Sequence, residues 1–322
     1  MSLPEEKFDY LISSLQSCRS CLVVTHEFPD GDAVGSLCAM VGILSGRYPA
    51  LKVQAFIKTP IPETYDFLGA ERFIKTDVDF KKFDQIIILD CGNLSRTGIG
   101  EQIKGQFLVN FDHHGDNDNF GRLNYVFPEA SSTCEILCFL AGKLLKEPFP
   151  AEISRPLFTG ILTDTGSFRF SCTSHLTHEA VSGLYRSQNA GLDAIIRKIY
   201  FEEPYPRMKL LGAVLNGMVF ESGICYAEIT REIWEETGTD PKNVEGLINY
   251  MSGIKNVELA ILFQELPGIV KVSLRSHGTV DCQKLARKYN GGGHVQAAGI
   301  KIEGQLYAVR NEILKHIKEQ LK

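Results

Sequence analysis

No apolar run in the 322-residue sequence approaches the roughly 20 residues that a membrane-crossing helix needs, so no membrane partner is expected. A basic excess is missing too: 34 Lys and Arg stand against 39 Asp and Glu, a formal net charge of −5. From residue 201 onward the signs balance at 15 each, which leaves 19 basic against 24 acidic residues in the first 200. A protein that tracks long nucleic acid carries a basic face. None is legible here, and no long nucleic acid is expected as a partner. Nor does an export leader show: residues 1–16 carry Glu5, Glu6 and Asp9 where such a leader carries Lys or Arg. The cytoplasm is the expected compartment. The nine Cys are odd in number, which excludes a closed disulfide set. Most sit inside apolar segments, as Cys21, Cys38, Cys134 and Cys138 do, the usage of small buried hydrophobes in a reducing compartment. Internal repeats and low-complexity tracts are absent.

What is present is a globular composition, 44% apolar and 23% charged, in a chain long enough for two domains. The first half alternates short β-branched runs with amphipathic stretches. Residues 21–25, 53–57, 86–90 and 107–112 read as buried strands; 31–46, 131–145 and 151–162 read as helices. That alternation predicts an α/β domain on a parallel sheet over residues 1–190. Helical segments broken by Gly191, Pro204 and Pro206 suggest a connector over 191–215. Strands at 225–230, 257–264 and 269–274, with helices at 281–289 and 305–321, predict a smaller α+β domain over 216–322.

Chemistry-bearing residues collect at the strand ends, where open sheets of this kind bind ligands. The first strand runs into His26, followed by Asp30, Gly31 and Asp32 at a helix start. An Asp before a helix is commonly its N-cap, but capping accounts for one Asp and not for two with a His. The run IIILD closes on Asp90, and FLVNFD closes on Asp112 and continues into His113 and His114. Asp164 lies in Thr163-Asp-Thr-Gly-Ser, where it could equally be a turn residue. Together these give an oxygen-rich, partly imidazole set without a thiolate, which suits two divalent ions about 4 Å apart rather than a structural zinc. Ser132 and Glu135 have the spacing of a helix capping box, with substrate contact as the alternative reading. Trp234, in an acidic segment, reads as packing.

PDGDAVGS after His26, FDHH at 111–114 and TDTGSFRF at 163–170 resemble the motifs of the DHH phosphoesterase family. VSLRS at 272–276 and NGGGHVQAAG at 290–299 resemble its C-terminal DHH-associated domain, so the resemblance covers nearly the whole chain. It is nearest to the compact branch of oligoribonucleases (nanoRNases) and 3′-phosphoadenosine-5′-phosphate (pAp) phosphatases. Carried over by motif, His26 and Asp30 would hold one metal and Asp32 and His113 the other, with Asp90 and Asp164 shared or flanking. Mn²⁺ is the ion the resemblance implies, with Mg²⁺ or Co²⁺ as alternatives. His114 would face the substrate phosphate and Asp112 would orient the neighbouring His. Arg275, Gly291, Gly292, Gly293 and His294 would receive the nucleotide. The family usually has four glycines before that His; here Asn290 takes the first place, and Asn tolerates positive φ.

The expected activity is two-metal hydrolysis of short oligoribonucleotides from one end, as a 3′–5′ exonuclease, with dephosphorylation of pAp. A homodimer is left open. The rivals are a cyclic-dinucleotide phosphodiesterase, a RecJ-like exonuclease on long strands and an inactive nucleotide-binding module.

Overall fold

A computed structural model describes residues 8–320 except Glu245, Thr279 and His294, and leaves out the side chains of 319 and 320. The chain divides into two compact units, Met1–Glu202 and Glu203–Lys322.

The first unit comprises α1 (Asp9–Ser17), β1 (Ser20–Val24), α2 (Gly31–Arg47), β2 (Lys52–Phe56), β3 (Gln85–Leu89), α3 (Gly100–Ile103), β4 (Leu108–Asp112), β5 (Leu123–Val126), α4 (Thr133–Leu144), α5 (Ala151–Asp164), α6 (His175–Tyr185) and α7 (Leu192–Tyr200). Its five strands are all parallel, in the order β2-β1-β3-β4-β5. Every residue of β3 and β4 is buried, because both faces of the sheet are covered. Val23, Ile87, Leu89, Val109 and Phe111 join one core with α2, α4 and α5. Leu22, Val24, Ile86, Ile88 and Leu108 alternate into a second core on the other face. The strand order reverses direction between β1 and β3. That reversal opens a crevice at the carboxyl ends of these two strands, the ligand-binding position of open α/β sheets.

The second unit comprises α8 (Tyr205–Gly217), β6 (Val219–Glu221), β7 (Ile224–Ile229), α9 (Arg231–Thr237), α10 (Leu247–Ser252), β8 (Leu259–Leu266), β9 (Ile269–Ser276), α11 (Cys282–Arg287), β10 (Gly292–Gly293), β11 (Ala297–Glu303) and α12 (Leu306–Gln320). Its sheet runs β10-β11-β9-β8-β7-β6 and is antiparallel except for β7 with β8. The α/β reading with a parallel first sheet and a smaller α+β second part is what the chain adopts. Four strands escaped it, of which β6 and β10 are only three and two residues long. β5 is four residues at a sheet edge, and β11 opens on Ala-Ala-Gly, without the β-branched residues that mark a strand. Among the described residues no helix is long and apolar enough to cross a membrane.

Candidate metal centre and active site

The crevice beyond β1 and β3 gathers the six expected metal ligands together with His114. His26 stands two residues past β1 and is 4% exposed. Its Nδ1–H donates to the Glu27 carbonyl at 2.8 Å, which leaves a lone pair on Nε2. That Nε2 is buried and has no hydrogen-bond partner among the described residues. It lies 3.5 Å from Asp90 Oδ2 and 3.9 Å from Asp30 Oδ1. Asp30 does cap α2, accepting from the Ala33 N–H at 3.0 Å, and reaches the cluster as well.

Asp32 is fully buried and doubly anchored. Its Oδ2 accepts from the Thr133 N–H at 2.7 Å and its Oδ1 from the Cys134 N–H at 2.9 Å. These are two of the unpaired donors at the start of α4, at the positive end of its dipole. Asp32 can sit there because α2 and α5 pack closely: a methyl group at Gly160 would overlap both Asp32 Oδ1 and Cys134 Sγ. A Gly160→Ala change is therefore expected to displace Asp32. Mn²⁺ affinity should fall roughly tenfold or more, and stability by about 2 kcal/mol from overpacking. Calorimetric titration and thermal unfolding check both; an unchanged Mn²⁺ affinity contradicts this account of Asp32.

Asp90 directly follows β3 with φ +57, a left-handed backbone uncommon outside glycine, which turns the chain out of the sheet at this point. Its carboxylate meets three imidazoles: His26 Nε2 and His113 Nε2 at 3.5 Å each, and His114 Nδ1 at 3.7 Å. Asp164, the last residue of α5, lies 3.2 Å from His113 Nε2. Three groups have donor atoms within 4.8 Å of one another and can hold a metal ion: His26–Asp30–Asp90, Asp32–His113–Asp164 and Asp90–His113–His114. Asp90 and His113 each belong to two of them.

Burial pushes the Asp32 carboxyl well above the ordinary carboxylate range, and the charges of Asp90 and Asp164 push the same way. Burial also raises Asp164, to about 6, against the pull of His113. Asp90 goes down: burial opposes its ionisation, but the neighbouring imidazoles of His113 and His26 outweigh it. His113 is pushed up to about 12, burial being overcome by Asp164 and Asp90. Four carboxylates packed this closely repel one another, and a metal ion held among them would relieve that repulsion.

Asp112 is buried at the end of β4 and holds the second His of the pair rather than the first. Its Oδ1 accepts from His114 Nδ1–H at 2.7 Å, while its Oδ2 accepts from Asn117 Nδ2–H at 2.5 Å. This bond is the first cause of a raised His114 pKa. Ser132 caps α4, accepting from the Glu135 N–H at 3.0 Å. Glu135 does not return the bond to Ser132; it accepts from Ser131 Oγ–H at 2.6 Å and Thr177 Oγ1–H at 2.7 Å. Cys18 and Cys21 have the spacing of a thiolate metal pair, yet Cys21 is wholly buried in the core and both are free. Trp234 packs in a core of the second unit, its Nε1–H donating to the Glu265 carbonyl at 2.8 Å.

Residues 20–161 match the family description "DHH family, N-terminal domain", and residues 221–322 match "DHHA1 domain". A Thermus thermophilus protein named bifunctional oligoribonuclease and PAP phosphatase NrnA is 34% identical over 306 residues, 93% of this chain and 89% of that protein. The chain belongs to the DHH family. A Bacillus subtilis DHH relative of the same name is 28% identical, over 91% of this chain and 92% of its own. Among solved structures, an exopolyphosphatase-related protein from Bacteroides fragilis superposes with a TM-score of 0.84 at 26% identity, each chain covered to 98%. A manganese-bound exonuclease RecJ shares the fold alone, with a TM-score of 0.56 at 12% identity over 97% and 93% of the two chains.

In the DHHA1 part, Arg275, Gly292 and Gly293 line a cavity of about 530 Å³ together with Lys271, Ser273 and Gly299. Lys271, Ser273 and Arg275 alternate along β9 on the face opposite its core residues Val270, Val272 and Leu274. Arg275 Nε is buried and without a partner among the described residues. Gly291 is not among the lining residues; it packs so close to the Gly299 carbonyl that no side chain fits. Asn290 has φ +54, the conformation that its tolerance for positive φ allows. His294 lies outside the described residues.

Proposed function

We propose that this chain hydrolyses phosphate esters with the help of two divalent ions, degrading short oligoribonucleotides 3′ to 5′ and converting pAp to AMP. The observation that carries the reading is the convergence of overlapping donor groups on Asp90 and His113 at the sheet's switch point. Relatives named as oligoribonuclease and PAP phosphatase, which this chain matches over most of their length, supply the substrate class.

The donors suit hard or borderline cations. His26 offers a buried lone pair at Nε2, and carboxylate oxygens make up most of the rest. In this reading His26, Asp30 and Asp90 hold one ion, Mn²⁺ before Mg²⁺ or Co²⁺, and Asp32, His113 and Asp164 hold the other, with Asp90 shared. When bound, such ions acidify a water molecule and offset charge on the phosphoryl oxygens. The chain's own groups do the rest. The paired N–H donors of Thr133 and Cys134 keep Asp32 from swinging out. Asp112 fixes the His114 ring and favours its protonated form, so that Nε2–H is available to the leaving ester oxygen. Arg275 and the glycines of β10 take a nucleotide phosphate, the guanidinium by its fork and the backbone by close approach.

Arg275→Ala is accordingly expected to raise KM for pAp roughly tenfold, the worth of one charge-assisted hydrogen bond. Bound Mn²⁺ should stay unchanged, and its loss would remove Arg275 from this role. The reading itself is tested by offering Mn²⁺-loaded protein pAp, a trinucleotide, a cyclic dinucleotide, pyrophosphate and a long single strand side by side. Hydrolysis of the first two above the others supports it. Mn²⁺-dependent activity on neither would overturn it.

A further inference from the structure

Arg96 lies in the short 3-10 turn Leu94–Thr97, beyond β3, and its side chain is exposed. Its backbone is tied on two sides. The Arg96 N–H donates to Asn93 Oδ1 at 3.2 Å, and its carbonyl accepts from the Glu27 N–H at 2.8 Å, next to His26. The guanidinium is thereby delivered to the metal cluster, where NH1 lies 3.5 Å from His114 Nε2. Among the described residues it forms no ion pair, although five carboxylates crowd the same region. His114 Nδ1–H is committed to Asp112, so Nε2 and the guanidinium, within hydrogen-bond reach of each other, face the same space.

Charge counting gives this placement a purpose. Two divalent cations would be cancelled by the carboxylates of Asp30, Asp32, Asp90 and Asp164, leaving no net positive charge for the incoming phosphate. Arg is charged at every working pH and presents a planar fork of donors that matches phosphoryl oxygens. We propose that Arg96 is a further substrate-binding residue, which grips the nonbridging oxygens of the scissile phosphoryl group beside His114 and stabilises them as the ester breaks. This rests on the phosphoesterase reading above.

The test compares full-length Arg96→Gln and Arg96→Lys with the wild type, all Mn²⁺-loaded. For Arg96→Gln, kcat/KM on pAp and on a trinucleotide should fall about 100-fold, mostly in kcat, as when one oxyanion donor is removed. Mn²⁺ content and Tm should not move. Arg96→Lys should recover roughly tenfold, keeping the charge without the fork. Orthophosphate binding, followed by calorimetry on the Mn²⁺-loaded proteins, should be weakened in Arg96→Gln. A kcat/KM within about twofold of wild type would overturn the proposal. So would loss of Mn²⁺ or a lowered Tm, which would make Arg96 a structural residue. If the wild type hydrolyses neither substrate, the phosphoesterase reading fails, and the orthophosphate comparison still decides Arg96: equal affinities would overturn its role.

Discussion

An Asp90→Asn variant is expected to lose turnover on pAp by about three orders of magnitude, close to 4 kcal/mol of transition-state stabilisation. Asn keeps the size and the left-handed backbone, so the change isolates the charge. That charge sits on the carboxylate that belongs to two of the donor groups, with contacts of 3.5 Å to His26 and to His113. Removing it leaves two imidazoles without their common partner and weakens both donor groups together. The variant should bind less Mn²⁺ at both sites, measured by metal analysis alongside kcat/KM at saturating Mn²⁺. Near-wild-type activity under those conditions would contradict a shared role for Asp90.

His114→Asn should cost roughly 100-fold to 10,000-fold in kcat, the range for a positioned general acid. Unlike Asp90, His114 is assigned to the substrate, so Mn²⁺ content should be retained. Asp112→Asn should act in the same direction and less strongly. The amide can rotate to accept from Nδ1–H, but it cannot stabilise the charged ring as the carboxylate does. A His114 variant with normal kcat, or one that sheds Mn²⁺, would contradict the assignment.

How far the sequence foretold these residues depends on the distance over which each is positioned. His26, Asp90 and Asp112 were legible because each closes an apolar strand, and parallel strands place their carboxyl ends along one edge. The strands near His26 and Asp90 end one residue earlier than the apolar pattern suggests. For Asp90 that offset matters, since its φ of +57 aims the carboxylate and no side-chain pattern encodes it. The anchoring of Asp32 was beyond reach. Its donors lie 101 and 102 residues away, in a segment whose local signal was only a helix cap. Gly160 looked like an ordinary helical glycine, and its meaning depends on which helix packs against it. Arg96 carried no signal, being one exposed Arg in a turn without a recognisable motif. In the second unit, Arg275 was found through the family's motif, while Lys271 and Ser273 were missed although they alternate with it on β9.

The most direct test of the central claim is a length series. Oligoribonucleotides from about two to about twenty-four residues would be compared by kcat/KM at fixed salt with Mn²⁺ present. Long strands are held by many Lys and Arg contacts, each releasing counterions. Here the excess charge of the first 200 residues is acidic and the remainder is balanced, so affinity should not grow with added phosphates. The account predicts a maximum at about two to five nucleotides, the range its relatives' class suggests, and a clear fall beyond. Degradation of the longest strand as efficiently as a trinucleotide would contradict it and point to a long-strand exonuclease instead.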